Sequence, residues 1–270
     1  MKRPSRRVFG MNVERPKLSP PRVSVSVADS PRLAKVPLRV LSEHDCPFFP
    51  DRRATMRGVY ALKKYARHYA DLLEQGYWRR TDLIEKPVCR DCKACRSVRI
   101  PVDSFKRDRA HDRCWRLNRD VTVETVDYAS DPESIALFRD YLINRHGWDQ
   151  KADEGEPLDD LIDWYAKRLG RSPVKCRAFK YRLDGKLIGL SVCDDLKGAL
   201  YSAFFAWDVA HARRGLGNFS VLYELEWCRA NGKDHYYLAN QIEGFTPADY
   251  KLSFCPHEVR GEDGRWHRNA

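Results

Sequence analysis

The sequence predicts an α/β fold of the α+β kind, and three observations carry that prediction. Strand-like runs succeed one another at about 176–183, 186–193 and 199–207, with Asp184-Gly185 as a hairpin turn between the first two. Helical spacing appears in 158–169, where Leu158, Leu161, Ile162, Tyr165 and Leu169 fall on one face and Gly170 follows. A glycine loop then leads from the third strand into a helix from about Asn218 to Ala230 and a strand around 235–239.

Residues 1–40 hold six prolines and little apolar periodicity, so they form a disordered basic arm that cannot bury enough surface to offset chain entropy. Val59, Tyr60, Ala66, Tyr69, Ala70 and Leu73 recur at near-helical spacing, which predicts a helix from Ala54 to Glu74 stopped by Gly76. A cysteine-rich turn at 89–95 and a short strand from Ser97 to Val102 come next. Asp131 caps a further helix, with Pro132 in its first turn and Ile135, Phe138, Tyr141 and Leu142 on its apolar side. The expected division is an arm over 1–40, a basic cysteine-containing domain over 41–130 and a second domain over 131–270.

Composition narrows the partners. The net charge of +11 is uneven: 1–40 hold ten Lys/Arg against two Asp/Glu, 44–119 nineteen against ten, and 120–270 twenty against twenty-five. A polyanion such as nucleic acid would meet the first half. No apolar run approaches the roughly 18 residues of a membrane helix, so no membrane partner is expected. Nine cysteines, an odd number, with no secretory signal point to reduced thiols or a metal site in the cytoplasm rather than to disulfides.

Four constellations can carry chemistry. Cys89, Cys92 and Cys95, with Cys46 upstream, have the spacing to converge on one soft cation, either zinc or an iron–sulfur cluster; they read equally as reduced thiols. Lys93, Arg90 and Arg96 beside them favour thiolates. In Arg213-Arg214-Gly215-Leu216-Gly217-Asn218, glycines and a helix N-terminus can cradle a phosphate or carboxylate, as in the acetyltransferase (GNAT) loop, though the segment is also an ordinary strand-to-helix turn. Tyr250-Lys251 can orient an acyl group or bind an anion. Lys106, Arg107, Arg109, Arg113, Arg116 and Arg119, with Phe105 and Trp115 interleaved, suit phosphates and an unpaired base, or a solvated charged face.

Together these segments resemble the aminoacyl-tRNA–protein transferases of the arginyltransferase family, and in length and layout its bacterial branch of leucyltransferases acting on N-terminal Asp or Glu. The resemblance spans about 44–258. It is carried by Cys46-Pro47-Phe48-Phe49-Pro50, by Gly76, Trp78, Arg79 and Arg80, and by Cys89, Cys92, Ala94, Cys95, Val98, Arg99 and Val102. The arginine-rich stretch Phe105 to Asp120, Tyr141-Leu142 with Arg145-His146, Asp208, the glycine loop, and Glu243-Gly244 through Tyr250-Lys251 to Glu258 continue it in order. Departures fall at Asn240-Gln241, Pro247-Ala248, Asp112 and Arg107-Asp108.

The resemblance implies a double acetyltransferase-like (GNAT-like) architecture, mixed sheets flanked by helices, with no coenzyme A. It implies transfer of leucine or arginine from aminoacyl-tRNA to proteins with an N-terminal Asp or Glu, marking them for degradation. No cofactor is required for the transfer. Asp208, Glu243, Tyr250 and Lys251 are the catalytic candidates. Arg79, Arg80, Arg99, Arg109, Arg113, Arg116, Arg213, Arg214, Gly215 and Gly217 are the candidates for holding tRNA or substrate. Two other classes fit parts of the sequence: an acetyl-CoA-dependent acetyltransferase, and a non-enzymatic RNA-binding protein with a metal knuckle.

Overall fold

The computed structural model describes residues 31–149 and 157–269. β1 (Arg39–Asp45), β2 (Arg53–Tyr60), β3 (Trp78–Arg80) and β4 (Leu83–Pro87) form an antiparallel sheet in the order β1-β2-β4-β3. β5 (Cys95–Pro101), β6 (Thr122–Asp127), β7 (Lys175–Leu183), β8 (Lys186–Leu196), β9 (Ala199–Trp207), β10 (His235–Ile242), β11 (His257–Arg260) and β12 (Trp266–Asn269) form a larger one. Its order is β12-β11-β5-β10-β9-β8-β7-β6, and only β9 and β10 pair in parallel.

Helices cover both faces of the larger sheet. α5 (Leu216–Ala230), backed by α2 (Arg109–Leu117), packs Phe219, Leu222 and Leu225 against Phe179, Tyr181, Ile188 and Tyr236. α3 (Pro132–His146) and α4 (Leu158–Leu169) pack Phe138, Leu142 and Ile162 against Ala178, Leu190 and Val192 on the other side. Successive strand residues thus serve opposite cores, as the pleat requires. The architecture is the expected mixed α/β one. The succession β7-β8-β9, turn, α5 and parallel β10 is its acetyltransferase-like unit.

The strands and helices expected after residue 97 lie close to where the sequence put them. Asp131 caps α3 through the Ser134 amide, and Asp184 and Gly185 both take positive φ in the hairpin. The segment 54–74 is corrected. Residues 53–60 are strand, a 3-10 turn covers Lys63–His68, and only α1 (Tyr69–Glu74) is α-helical. Ala54, Met56 and Gly58 are buried in alternation with Arg53, Thr55 and Arg57, a period of two. A Cβ on Gly58 would stand 2.1 Å from the Ile84 carbonyl oxygen, so only glycine lets β2 lie this close to β4.

The expected arm is also shortened. Residues 1–30 lie outside the described residues, but Leu33 and Val36 are buried against Tyr69 and Leu72, and 39–45 is a strand. The division expected at 130 does not follow the sheets, since β5 and β6 from one side join β7 to β12 from the other. Among the described residues no helix is long and apolar enough to cross a membrane.

One buried ion pair joins the two sheets. Arg79 of β3 donates to Asp194 of β8 from Nε (2.6 Å) and Nη2 (2.8 Å), and both side chains are wholly shielded from water. Tyr69 donates to the same carboxylate at 2.6 Å, while Arg79 also donates to the carbonyls of Leu169 (2.8 Å) and Thr81. Burial opposes the charge on Arg79, but Asp194 outweighs it and raises the guanidinium pKa. A second buried group fixes α5: the Glu224 carboxyl accepts from Ser191 (2.5 Å), Tyr181 (3.0 Å), Tyr236 (2.6 Å) and Cys193 (3.3 Å), while burial pushes its pKa up. Removing one partner of such an ion pair strands the other charge. Arg79→Met is therefore expected to lose about 3–5 kcal/mol of unfolding free energy in denaturant titration, and a loss below about 1 kcal/mol would contradict this role.

Candidate active-site cleft

β9 and β10 pair only through Ala199–Tyr201 and His235–Tyr237. Beyond that point β9 stays with β8, while a register shift between Tyr237 and Asn240 carries β10 toward β5. Ala239, inside this irregularity, has φ +55°, a left-handed conformation rare for a residue with a Cβ. The strands part, and a cleft of about 910 Å³ opens between them. Residues 201–205 of β9 and 238–240 of β10 line it, with the glycine turn, Tyr250-Lys251, the four clustered cysteines, and Tyr141, Arg145 and His146 at the end of α3.

The glycine turn is built as the sequence suggests. A 3-10 turn over Val209–Arg214 ends at Gly215, which takes φ +64° and opens α5. The amides of Asn218 and Phe219 bond back to the Gly215 carbonyl. Leu216 and Gly217 lie at the open end of the helix, where amides face outward with the positive end of the dipole, and both line the cleft. Arg213 is exposed. Arg214 is committed elsewhere: its two Nη atoms hold Asp120 at 2.8 and 2.9 Å, and Asn118 donates to its carbonyl at 2.8 Å. It is a strut between α2 and the turn.

Of the four catalytic candidates the cleft gathers two. Lys251 Nζ donates to the Asn240 carbonyl at 2.6 Å, and no carboxylate among the described residues is bonded to it. Burial lowers its pKa to about 8, against a smaller opposing effect of Cys95. Tyr250 is 42% exposed and lines the cleft. Asp208 does not line the cleft. It caps the 3-10 turn through the Ala210 amide (2.9 Å) and pairs with Lys186 (2.9 Å); these partners lower its pKa although burial raises it. Glu243 is largely exposed, pairs with Arg96 at 2.8 Å, and borders a smaller neighbouring cavity.

The expected RNA-facing arginines divide by element. Arg109, Arg113 and Arg116 sit at i, i+4 and i+7 of α2, exposed on one face. Arg79 is the core ion pair described above. Arg99 is also internal: it holds Glu258 (2.6 Å), Glu74 and Tyr237 (3.0 Å) and lies 4.3 Å over the Trp266 ring. These two are corrected from ligand contacts to structural cations, because strand pleating turns them inward. Arg80 lines the cleft, with Glu85 as partner at 2.8 Å. Phe105 is core and Trp115 packs on Phe219 and Tyr223 beneath the Arg107 guanidinium, so neither offers a free stacking face.

Cys46, Cys89, Cys92 and Cys95 all reach one end of the cleft. Burial and then the other three thiols push Cys95 up to about 12, so the nearby cations do not make it a thiolate as expected. Arg52 donates to Cys92 at 3.2 Å and stacks 4.2 Å over Phe49. Among the described residues no three Cys, His, Asp or Glu side chains meet ligand spacing, and the thiols as arranged do not fit a metal ion. The site also holds residues that carry no motif, chiefly Glu85 and Met56. The only sequence signal for Glu85 is a lone acid beside the apolar pair Leu83-Ile84.

A mixed α/β fold with a glycine turn, a helix N-terminus and a half-buried lysine meeting where strands part is the make-up of an acyl-transferring enzyme. Family models described as arginine-tRNA-protein transferase, N terminus and C terminus, match residues 44–113 and 133–261, and the chain belongs to that family. An aspartate/glutamate leucyltransferase of Stenotrophomonas maltophilia (strain K279a) is 34% identical over 239 residues, 83% of this chain and 90% of that protein. One of Pseudomonas entomophila (strain L48) is 29% identical over 228 residues, 84% and 94% of the two. Among solved structures, the C-terminal domain of a putative lysylphosphatidylglycerol synthetase from Agrobacterium fabrum aligns with TM-score 0.44 at 13% identity, over 78% of this chain and 65% of that one.

The cysteines give a direct check on the cleft. Cys193 and Cys228 are fully buried, whereas Cys46, Cys89, Cys92 and Cys95 are partly exposed. A thiol-alkylating reagent read by mass spectrometry is expected to label the cleft set in the native protein, without chelator, and Cys193 and Cys228 only after unfolding. Protection of the cleft set that a chelator lifts would instead reveal a bound soft cation.

Proposed function

We propose that this enzyme transfers an amino acid, leucine or arginine, from aminoacyl-tRNA to the α-amine of proteins beginning with Asp or Glu, in the cytoplasm, and so marks them for degradation. The observation that carries the reading is the junction, in one cleft, of a helix N-terminus suited to a phosphate and a half-buried Lys251 bonded to a carbonyl rather than to a carboxylate. The first suits the tRNA 3′ end, and the second suits the acceptor's acidic side chain. The names of the related leucyltransferases support the same reading.

The chemistry asks little of the protein. A neutral α-amine attacks the ester carbonyl, the C–N bond forms, the C–O bond to the ribose breaks, and the proton released by nitrogen goes to the leaving 3′ oxygen. An α-amine titrates near 7.7–8.0, so a substantial neutral fraction exists at pH 7, and positioning can supply most of the acceleration. Tyr250, which lines the cleft, donates to the carbonyl or leaving oxygen. Asp208 and Glu243, engaged outside the cleft, serve structure, which leaves Tyr250 and Lys251 as the working pair. Arg109, Arg113, Arg116 and Arg213 hold tRNA phosphates outside the cleft, while Gly215 and Gly217 receive its end.

The decisive experiment mixes the protein with tRNA charged with labelled leucine or arginine and peptides beginning with Asp, Glu, Lys or Ala. Label is expected on the acidic peptides alone; no transfer from any charged tRNA would refute the reading. Lys251→Met is expected to lower kcat/KM for acidic acceptors by roughly 10- to 100-fold, the worth of one charge-assisted hydrogen bond. Arg109→Ala, Arg113→Ala and Arg116→Ala combined are expected to weaken tRNA binding and to flatten its dependence on log salt by about 0.7–0.9 for each phosphate no longer neutralised. An unchanged salt slope would place tRNA on another face.

A further inference from the structure

Trp78 and Glu85, which line the cleft, each hold a buried polar atom without a hydrogen-bond partner among the described residues: the indole Nε1 and the Oε2 oxygen. They belong to one constellation. Trp78 of β3 and Glu85 of β4 are directly paired across the strands, so both side chains leave the sheet on the same face, with their roots roughly 5 Å apart. Gly58 of β2 is the next residue in that row and contributes no side chain to cover the carboxylate. The Glu85 side chain is fully buried, and its other oxygen accepts from Arg80 Nε at 2.8 Å. The ion pair therefore balances charge but leaves one carboxylate oxygen without a partner, and the residue paired with Glu85 carries an N–H donor in the same state.

Polar atoms buried without partners are costly, and natural folds keep few of them. A ligand that satisfies both must carry a donor, best a cationic one, next to an acceptor. An α-aminoacyl group has this arrangement, an ammonium and a carbonyl on adjoining carbons. We infer that Trp78 and Glu85 form the cleft's receptor for an α-aminoacyl group, with Glu85 Oε2 accepting from the ammonium and Trp78 Nε1 donating to the carbonyl oxygen. Ala54, Met56 and Tyr165 border the same cleft and offer apolar surface to the amino acid's side chain. The inference rests on the transfer reading above. In that reaction two molecules carry this chemistry: the aminoacyl ester and the N-terminal residue of the acceptor.

The test compares wild type, Glu85→Gln and Trp78→Phe in the transfer assay, with initial rates varied separately in aminoacyl-tRNA and in acceptor peptide. Wild type must first transfer label; if it transfers none, the functional reading fails and the receptor is not what failed. Glu85→Gln keeps an oxygen for Arg80 and turns an amide NH2 toward the ammonium. It is expected to reduce kcat/KM roughly 10- to 100-fold for the molecule whose amine it holds. If that molecule is the donor, tRNA carrying N-acetylated amino acid is a poor substrate for wild type by a similar factor and is discriminated little by the variant, while the peptide KM stays put. If it is the acceptor, the peptide KM rises and the donor KM stays put. Trp78→Phe keeps the ring, removes the N–H, and is expected to impair the same substrate, which covers the case in which Glu85→Gln unfolds. Both variants folded, with kcat/KM within twofold of wild type for both substrates, would overturn the assignment and leave the row purely structural.

Discussion

The structure depends on the Arg79–Asp194 ion pair, because it is the point at which the small sheet is bolted to the large one. β3 is only three residues long, and its own ladder to β4 is brief. What fixes its register is the inward turn of Arg79 onto Asp194, with Tyr69 and the Leu169 carbonyl closing the remaining polar positions. In a strand, neighbours point to opposite faces, so an inward Arg79 obliges Trp78 and Arg80 to face the cleft. A one-residue slip would bury the wrong pair and leave the cleft wall to Arg79. Desolvating two charges is expensive, and a pair of apolar residues could pack the site at less cost; the ion pair selects one arrangement over its neighbours in register.

A second constraint sets where the cleft begins. The parallel ladder ends at Tyr201 and Tyr237, and both phenols are tethered to the small-sheet side of the molecule. Tyr201 donates to the Arg79 carbonyl at 2.8 Å, and Tyr237 donates to Glu74 of α1 at 2.6 Å. Past these anchors the strands have different partners and separate. The place where they part is thus determined by the same interface that Arg79 holds, and the lining of the cleft on both strands follows from it.

The elements most legible in the sequence are those whose burial is one-sided and regular. α4, the β7–β8 hairpin and α5 announce themselves by period, by Asp184-Gly185 and by the glycine turn. The stretch 54–74 misleads because alternating burial in a short strand and a 3-10 turn in succession place apolar residues at intervals that mimic a helix. β1, β11 and β12 carry many polar or half-exposed residues, and α2 is so arginine-rich that its helical character rests on the capping box of Asp108 and His111 rather than on an apolar stripe. Within the site, the glycine turn and Tyr250-Lys251 are readable as chemistry. Arg79 and Arg116 are not distinguishable, since a basic residue beside an aromatic reads the same whether tertiary pairing turns it inward or leaves it in water. Asp208 and Glu243 mislead for the mirror reason: acids near a motif have partners of their own.

The division of cations has a mechanical consequence for the reaction. Arg214, drawn off the anion site by Asp120, with Asn118 bonded to its carbonyl, ties the end of α2 to the glycine turn. The exposed arginine stripe on α2 and the mouth of the cleft are therefore joined by direct side-chain bonds. Phosphate contacts carry no sequence information, but they fix register and orientation. In the proposed transfer, register gained on the helix is passed through these bonds to the cleft, where the ester must meet the amine. In that proposed transfer an already activated ester needs little besides placement, so holding two substrates still can supply most of the acceleration.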